Sequence, residues 1–220
     1  MGATMKTFFL RLFSLAGLLL LASCALVPPA AELDKITADI LKASFRAEGL
    51  VGLDRLVQDD ANRECSAADV AGKPIDAKLG EAIEAANRKV IRWPSDGKFI
   101  GDWREGERIA QSGRGLTWTD DANQANGGNC YNCHQIDNKE LSFGTIGPSL
   151  YNYGKLRGVT DPTSANARAI VEYTWGKIWN AKAYNACSNM PRLGHAGILS
   201  EAQVRHVVGL LLDPKSPVNQ

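Results

Sequence analysis

The 220 residues leave room for one domain with a proper core and an extension, and a make-up of 45% hydrophobic and 22% charged residues excludes wholesale disorder. A formal net charge of +1 excludes the basic excess with which a chain grips nucleic acid or a bulk anionic surface. The first 23 residues differ in kind from the rest. Lys6 and Arg11 carry the charge there, no acidic residue precedes Glu32, and Leu12 to Leu21 is an apolar run too short to span a bilayer. That layout predicts a secretory signal peptide over residues 1–23 and export to the periplasm. It closes on Leu21-Ala22-Ser23-Cys24, which resembles a lipobox and predicts lipidation of Cys24 and a lipid anchor. Ordinary signal cleavage a few residues later, with Ser23 and Ala25 as the small residues, is the other reading of the same stretch.

Val27-Pro28-Pro29-Ala30-Ala31 reads as a short tether. A helix is expected from about Leu33 to Arg46, closed by Gly49, and a second from about Ala77 to Arg92, where Trp93-Pro94 stops it. A polar loop carrying Cys65 is expected between them. Asp102 followed by Glu105 has capping-box spacing and predicts a helix running to Ser112, with Gly113 as its stop. A Gly- and Asn-rich loop, Asn123 to Asn129, leads to Cys130, and a second loop holds Gly144, Gly147 and Pro148. A helix over about Ala165–Ala181 puts Val171, Trp175, Ile178 and Trp179 on one face. Ser200 with Gln203 predicts another capping box, followed by Val204, Val207, Val208, Leu211 and Leu212 at helical spacing and a stop at Asp213-Pro214. The expectation is an all-α fold: a tether and helical extension over residues 24–100, then a helical domain over 101–220.

Cys130-Tyr131-Asn132-Cys133-His134 is a C-x-x-C-H motif. Two thiols three positions apart can add to the two vinyl groups of one porphyrin, and the adjacent His then faces the iron as an axial ligand. Zinc would need two further soft ligands, and the sequence has no second C-x-x-C or His pair. A redox dithiol leaves His134 and the export signal unexplained. The motif therefore predicts one covalent haem c. Met190, followed by Pro191, is the only methionine beyond the signal segment and the candidate for the second iron ligand. His195 and His206 compete with it, and a lone methionine is often core filler. His/Met ligation raises the potential and closes the iron, which suits electron transfer. Cys65 and Cys187 remain, and in an exported protein they pair most simply as a disulfide, with two buried free thiols as the alternative. Gly106 is expected to admit the last helix at close range. The five tryptophans, Trp93, Trp103, Trp118, Trp175 and Trp179, are expected in the core and the haem wall.

Four stretches carry a family resemblance: Gly128-Asn129-Cys130 through Gln135, Gly144-Thr145-Ile146-Gly147-Pro148-Ser149-Leu150, Asn189-Met190-Pro191, and Leu212 through Asn219 with its closing Ser216-Pro217-Val218-Asn219. Spanning about residues 101–219, they resemble SoxX, the monohaem subunit of the thiosulfate-oxidising SoxAX cytochrome complex. The extension from Glu32 to Ile100 looks like the longer SoxX variants. The resemblance implies a class I cytochrome c-like fold, haem on Cys130 and Cys133, and iron ligands at His134 and Met190. It also implies a SoxA partner that bears the thiosulfate site, a SoxYZ carrier as acceptor of the sulfur, and a downstream cytochrome as acceptor of the electrons. The chain would then be part of an L-cysteine S-thiosulfotransferase with no catalytic residue of its own. A stand-alone cytochrome carrier is the first alternative, and a haem sensor or peroxidase with open iron the second.

Overall fold

The computed structural model describes residues 28–220, so the signal segment and Cys24 lie outside the described residues. The chain divides into two compact units, Met1–Arg46 and Ala47–Gln220. Of the first unit, the described part is one helix, α1 (Ala30–Ser44), with no buried residue and with Leu33, Ile36 and Ile40 exposed. Among the described residues no helix is long and apolar enough to cross a membrane.

The second unit is all-α, as expected. It contains α2 (Asp60–Val70), α3 (Ala77–Lys89), α4 (Trp103–Gln111), the single turn α5 (Tyr153–Leu156), α6 (Arg168–Trp179) and α7 (Glu201–Leu212), joined by long loops with short 3₁₀ turns. Cys65 sits on α2 rather than in the polar loop expected there. The Asp59 carboxylate caps that helix by accepting the Asn62 N–H at 2.8 Å. Because Ala61 is the helix's one buried residue, α2 leaves almost no apolar periodicity in the sequence.

α4 and α7 cross at the centre of the unit. The capping box at Ser200 and Gln203 forms as expected, and α7 buries Val204, Val207, Val208, Leu210, Leu211 and Leu212. A buried side chain of this kind is worth about 1.5–3 kcal/mol over an exposed one, so this face is a main source of the core's cohesion. A Cβ added at Gly106 of α4 would lie 2.2 Å from the His206 carbonyl oxygen, and one at Gly209 of α7 would lie 2.3 Å from the Gly101 carbonyl oxygen. Glycine is therefore what sets the distance between the two helices. Gly106→Ala should push them apart and lower stability by about 1–3 kcal/mol, read as a lower denaturant midpoint. An unchanged midpoint would mean that the crossing yields freely.

The start and end of α4 differ from expectation. Asp102 accepts the Arg104 N–H at 2.9 Å, but Glu105 pairs with Arg108 one turn on instead of reaching back to complete a capping box. Gly113 does not take a left-handed conformation. The last turn is closed from outside, where Gly128 N–H donates to the Ile109 carbonyl at 2.8 Å and Asn129 N–H to the Ser112 carbonyl at 3.0 Å. That return brings residue 130 to the end of α4.

The closing Ser216–Asn219 string finishes α7. Ser216 Oγ donates to the Leu210 carbonyl at 2.5 Å and Asn219 Nδ2 to that of Leu211 at 3.1 Å, while Asn219 Oδ1 accepts the Gly154 N–H of α5 at 2.9 Å. Trp175 and Trp179 are buried and stacked with ring centres 5.9 Å apart, and Trp103 is half-buried. Trp93 and Trp118 depart from the expected core placement, being 43% and 62% exposed.

Candidate functional site

The approach to the C-x-x-C-H segment is set by Asn129, whose φ of 49° turns the backbone left-handed just before Cys130. Cys130–Asn132 then forms one 3₁₀ turn. Cys133 N–H and His134 N–H both donate to the Cys130 carbonyl, at 3.1 and 2.9 Å. This turn gathers two thiols and an imidazole within five residues. Cys130 and Cys133 are half-buried and are not joined to each other.

The loop 144–150 wraps the same segment. Gly144 N–H donates to the Tyr131 carbonyl at 2.9 Å, Gly147 N–H to that of Cys133 at 2.8 Å, and Leu150 N–H to that of Gln135 at 2.7 Å. His134 Nδ1 is 2.7 Å from the Pro148 carbonyl oxygen. A carbonyl can only accept, so this contact fixes the proton on Nδ1 and leaves the Nε2 lone pair free to bind a metal. Gly147 lies flat on the ring, and a Cβ there would be 2.1 Å from His134 Cε1.

Beside this turn lies a small cavity of about 40 Å³, with Cys130, His134 and Met190 in its wall. Ile136, Leu150, Ile178, Leu193 and Leu210 are among the apolar residues that complete it. Burial pushes the Cys130 thiol up to about 12, and the neighbouring Cys133 adds to the rise against one opposing backbone contact. It therefore stays an S–H near neutrality and is a poor nucleophile. Burial also pushes the Tyr131 phenol up to about 12, reinforced by Glu140, Glu107 and Asp137 and opposed by a Gln111 hydrogen bond. Glu107 is raised by its own burial and by the charges of Asp137 and Glu140.

The competing histidines are accounted for elsewhere. His206 Nδ1 accepts the Asp102 N–H at 2.9 Å at the start of α4, and His195 is exposed and absent from the cavity wall. Among the described residues no three His, Cys, Asp or Glu side chains cluster around a common metal position. The indole N–H of Trp179, one residue from cavity-lining Ile178, is buried and has no partner. Sequence reasoning missed that donor, since nothing in the order of residues says which indole goes unpaired.

Cys65 and Cys187 form a disulfide, with Cα atoms 5.5 Å apart and a sequence separation of 122. It ties α2 to the loop that carries Met190. In the chain-entropy model a closed loop of this length stabilises by about 4–5 kcal/mol. Cys65→Ser should therefore lower the denaturant midpoint by a large fraction of the total stability. The unreduced, unfolded wild-type protein should offer neither of these thiols to an alkylating reagent, and two labelled thiols at Cys65 and Cys187 would contradict the pairing.

No family model matches the chain. It is 33% identical over 168 residues to an uncharacterized lipoprotein of Aquifex aeolicus (strain VF5), with 74% of this chain and 73% of that protein covered. The chain belongs to the same family as this Aquifex lipoprotein.

Proposed function

We propose that the chain is an exported c-type cytochrome that holds one covalent haem and carries electrons. The observation behind this reading is the shared cavity of Cys130, His134 and Met190, with His134 oriented by the Pro148 carbonyl. The donor set fits a haem c: two thiols for covalent attachment, an imidazole with its Nε2 free, and a thioether in the wall of the same apolar cavity. When bound, the haem would supply a one-electron couple.

The chain's own groups would do the rest. Cys130 and Cys133 fix the group, Pro148 holds the His134 proton on Nδ1, and Gly147 lets the ring lie close to the backbone. Leu150, Ile178 and Leu210 exclude water from the pocket, which raises the cost of a charge there and so supports a raised potential.

Within that reading, the strings over residues 101–219 favour an electron-transfer role beside a SoxA partner, with the sulfur chemistry done elsewhere. Cys130 and Cys133 would be consumed by haem, Cys65 and Cys187 form the disulfide, and Cys24 would carry lipid, so no thiol is left to act as a sulfur nucleophile. The test mixes the purified protein with thiosulfate and a SoxYZ carrier and follows haem reduction before and after adding SoxA. Reduction only after SoxA is the expected result. Fast reduction without it would mean that this chain has a sulfur site, and none with it would favour the stand-alone carrier. The name of the Aquifex relative supports lipid attachment, which Triton X-114 partitioning of the wild type against Cys24→Ser would test.

A further inference from the structure

Residues 183–192, the loop that carries Met190, are held on two faces by different parts of the chain. Inward, Met190 joins Leu193 in the cavity wall, just past the loop's end, and Tyr184 sets its ring edge against Tyr173 of α6, with centres 4.9 Å apart. Outward, five ties run to residues 59–88. Arg88 donates to the Ala183 carbonyl at 2.9 Å and its guanidinium lies 5.7 Å from the Tyr184 ring centre. Ala186 N–H donates to Glu84 Oε1 at 3.2 Å, Cys187 is bonded to Cys65, and Arg192 pairs with Asp59. Among the described residues, every hydrogen bond, ion pair or covalent bond that joins this loop to chain positions more than ten residues away goes to α2, α3 or the α2 cap. Its remaining hydrogen bonds are local, such as Met190 N–H to Ser188 Oγ at 3.2 Å.

We infer that the stretch 59–88 is a brace that governs how readily Met190 leaves the iron, with Asp59 and Glu84 as positioning residues. This rests on the reading of Met190 as an iron ligand. A thioether is a neutral, weakly held ligand, so its occupancy depends on how tightly the protein confines the loop that presents it. The inward contacts alone are apolar and without direction. The polar ties fix the loop at Ala183, Ala186, Cys187 and Arg192, on both sides of Met190, and each lost tie raises the population of an open loop. α2 and α3 bury little core of their own, with Ala61 and Gly80 as their buried residues.

The test uses the exported, disulfide-bonded ferric holoprotein and measures the rate of imidazole binding at saturating imidazole, where loop opening limits the rate. Asp59→Asn keeps the size of the side chain and removes the charge that pairs with Arg192, and Glu84→Ala removes the acceptor of the Ala186 N–H. Loss of a partly buried ion pair of about 1 kcal/mol corresponds to about a fivefold rise in the open population, so Asp59→Asn should speed binding by about that factor. Asp59→Glu should recover part of it. Asp96→Asn is the control, because Asp96 pairs with Arg205 at 3.0 and 3.1 Å without touching the Met190 loop. Its rate should match wild type.

Equal acceleration by Asp59→Asn and Asp96→Asn would reduce the effect to general stability and overturn the brace. Wild-type rates in Asp59→Asn and Glu84→Ala, with the thioether–iron band present throughout, would overturn it directly. Absence of that band from the wild-type haem protein would remove the ligand reading itself, and the brace with it.

Discussion

Met190→Ala is expected to give a haem protein whose iron is high-spin, or low-spin with a new nitrogen ligand, at a markedly lower potential. Met190 is the one thioether in the cavity wall, and the wall residues around it are hydrocarbon apart from Cys130 and His134. No side chain beside it can replace sulfur without loop movement. Exposed His195, five residues on in the same connection, is the nearest candidate in sequence for a rescued bis-imidazole state. The potential of a haem falls when imidazole or water replaces thioether, because the softer sulfur favours the ferrous state. Optical spectra and a redox titration read both effects. A variant with the wild-type spectrum and potential would remove Met190 from the iron.

Gly147→Val is expected to abolish correct proximal ligation and sharply cut the yield of holoprotein. Even the first carbon of a side chain would sit 2.1 Å from His134 Cε1 and 2.5 Å from Nδ1, far inside contact distance. The imidazole must then swing away from the Pro148 carbonyl, and the loop that caps Cys133 through Gly147 N–H must lift with it. Gly147→Ala should show the same defect in weaker form. The readout is covalent haem per chain, together with the low-spin fraction. Normal loading and spectrum in the valine variant would mean that the ring is not held as described.

How far such features can be read without coordinates varies with their range. The α7 face and its Ser200–Gln203 box are local patterns, and they appear as expected because the same residues define the helix and its burial. The C-x-x-C-H turn is likewise local. α2 escaped notice because a capped helix with one buried alanine leaves no periodic trace, its attachment coming instead from Cys65 and Asp59. The end of α4 was misread for a related reason. Gly113 is a plausible stop by itself, but the carbonyls are satisfied by Gly128 and Asn129 from a loop more than a dozen residues on. Aromatic content says nothing of side, so Trp93 and Trp118 could not be separated from buried Trp175 and Trp179. Within the site, the motif names its own donors, whereas the His134–Pro148 contact, the Trp179 donor and the outward ties of the Met190 loop exist only in three dimensions.

The most direct test of the central proposal is the intact mass of the exported protein after denaturation and extraction of any non-covalent ligand. A mass equal to the processed chain plus one haem is expected, with the haem retained on a peptide containing Cys130 and Cys133. Cys133→Ser should break one of the two thioether links and change the spectrum accordingly. A wild-type mass equal to the processed chain alone, from a host competent for haem attachment, would contradict the cytochrome reading outright.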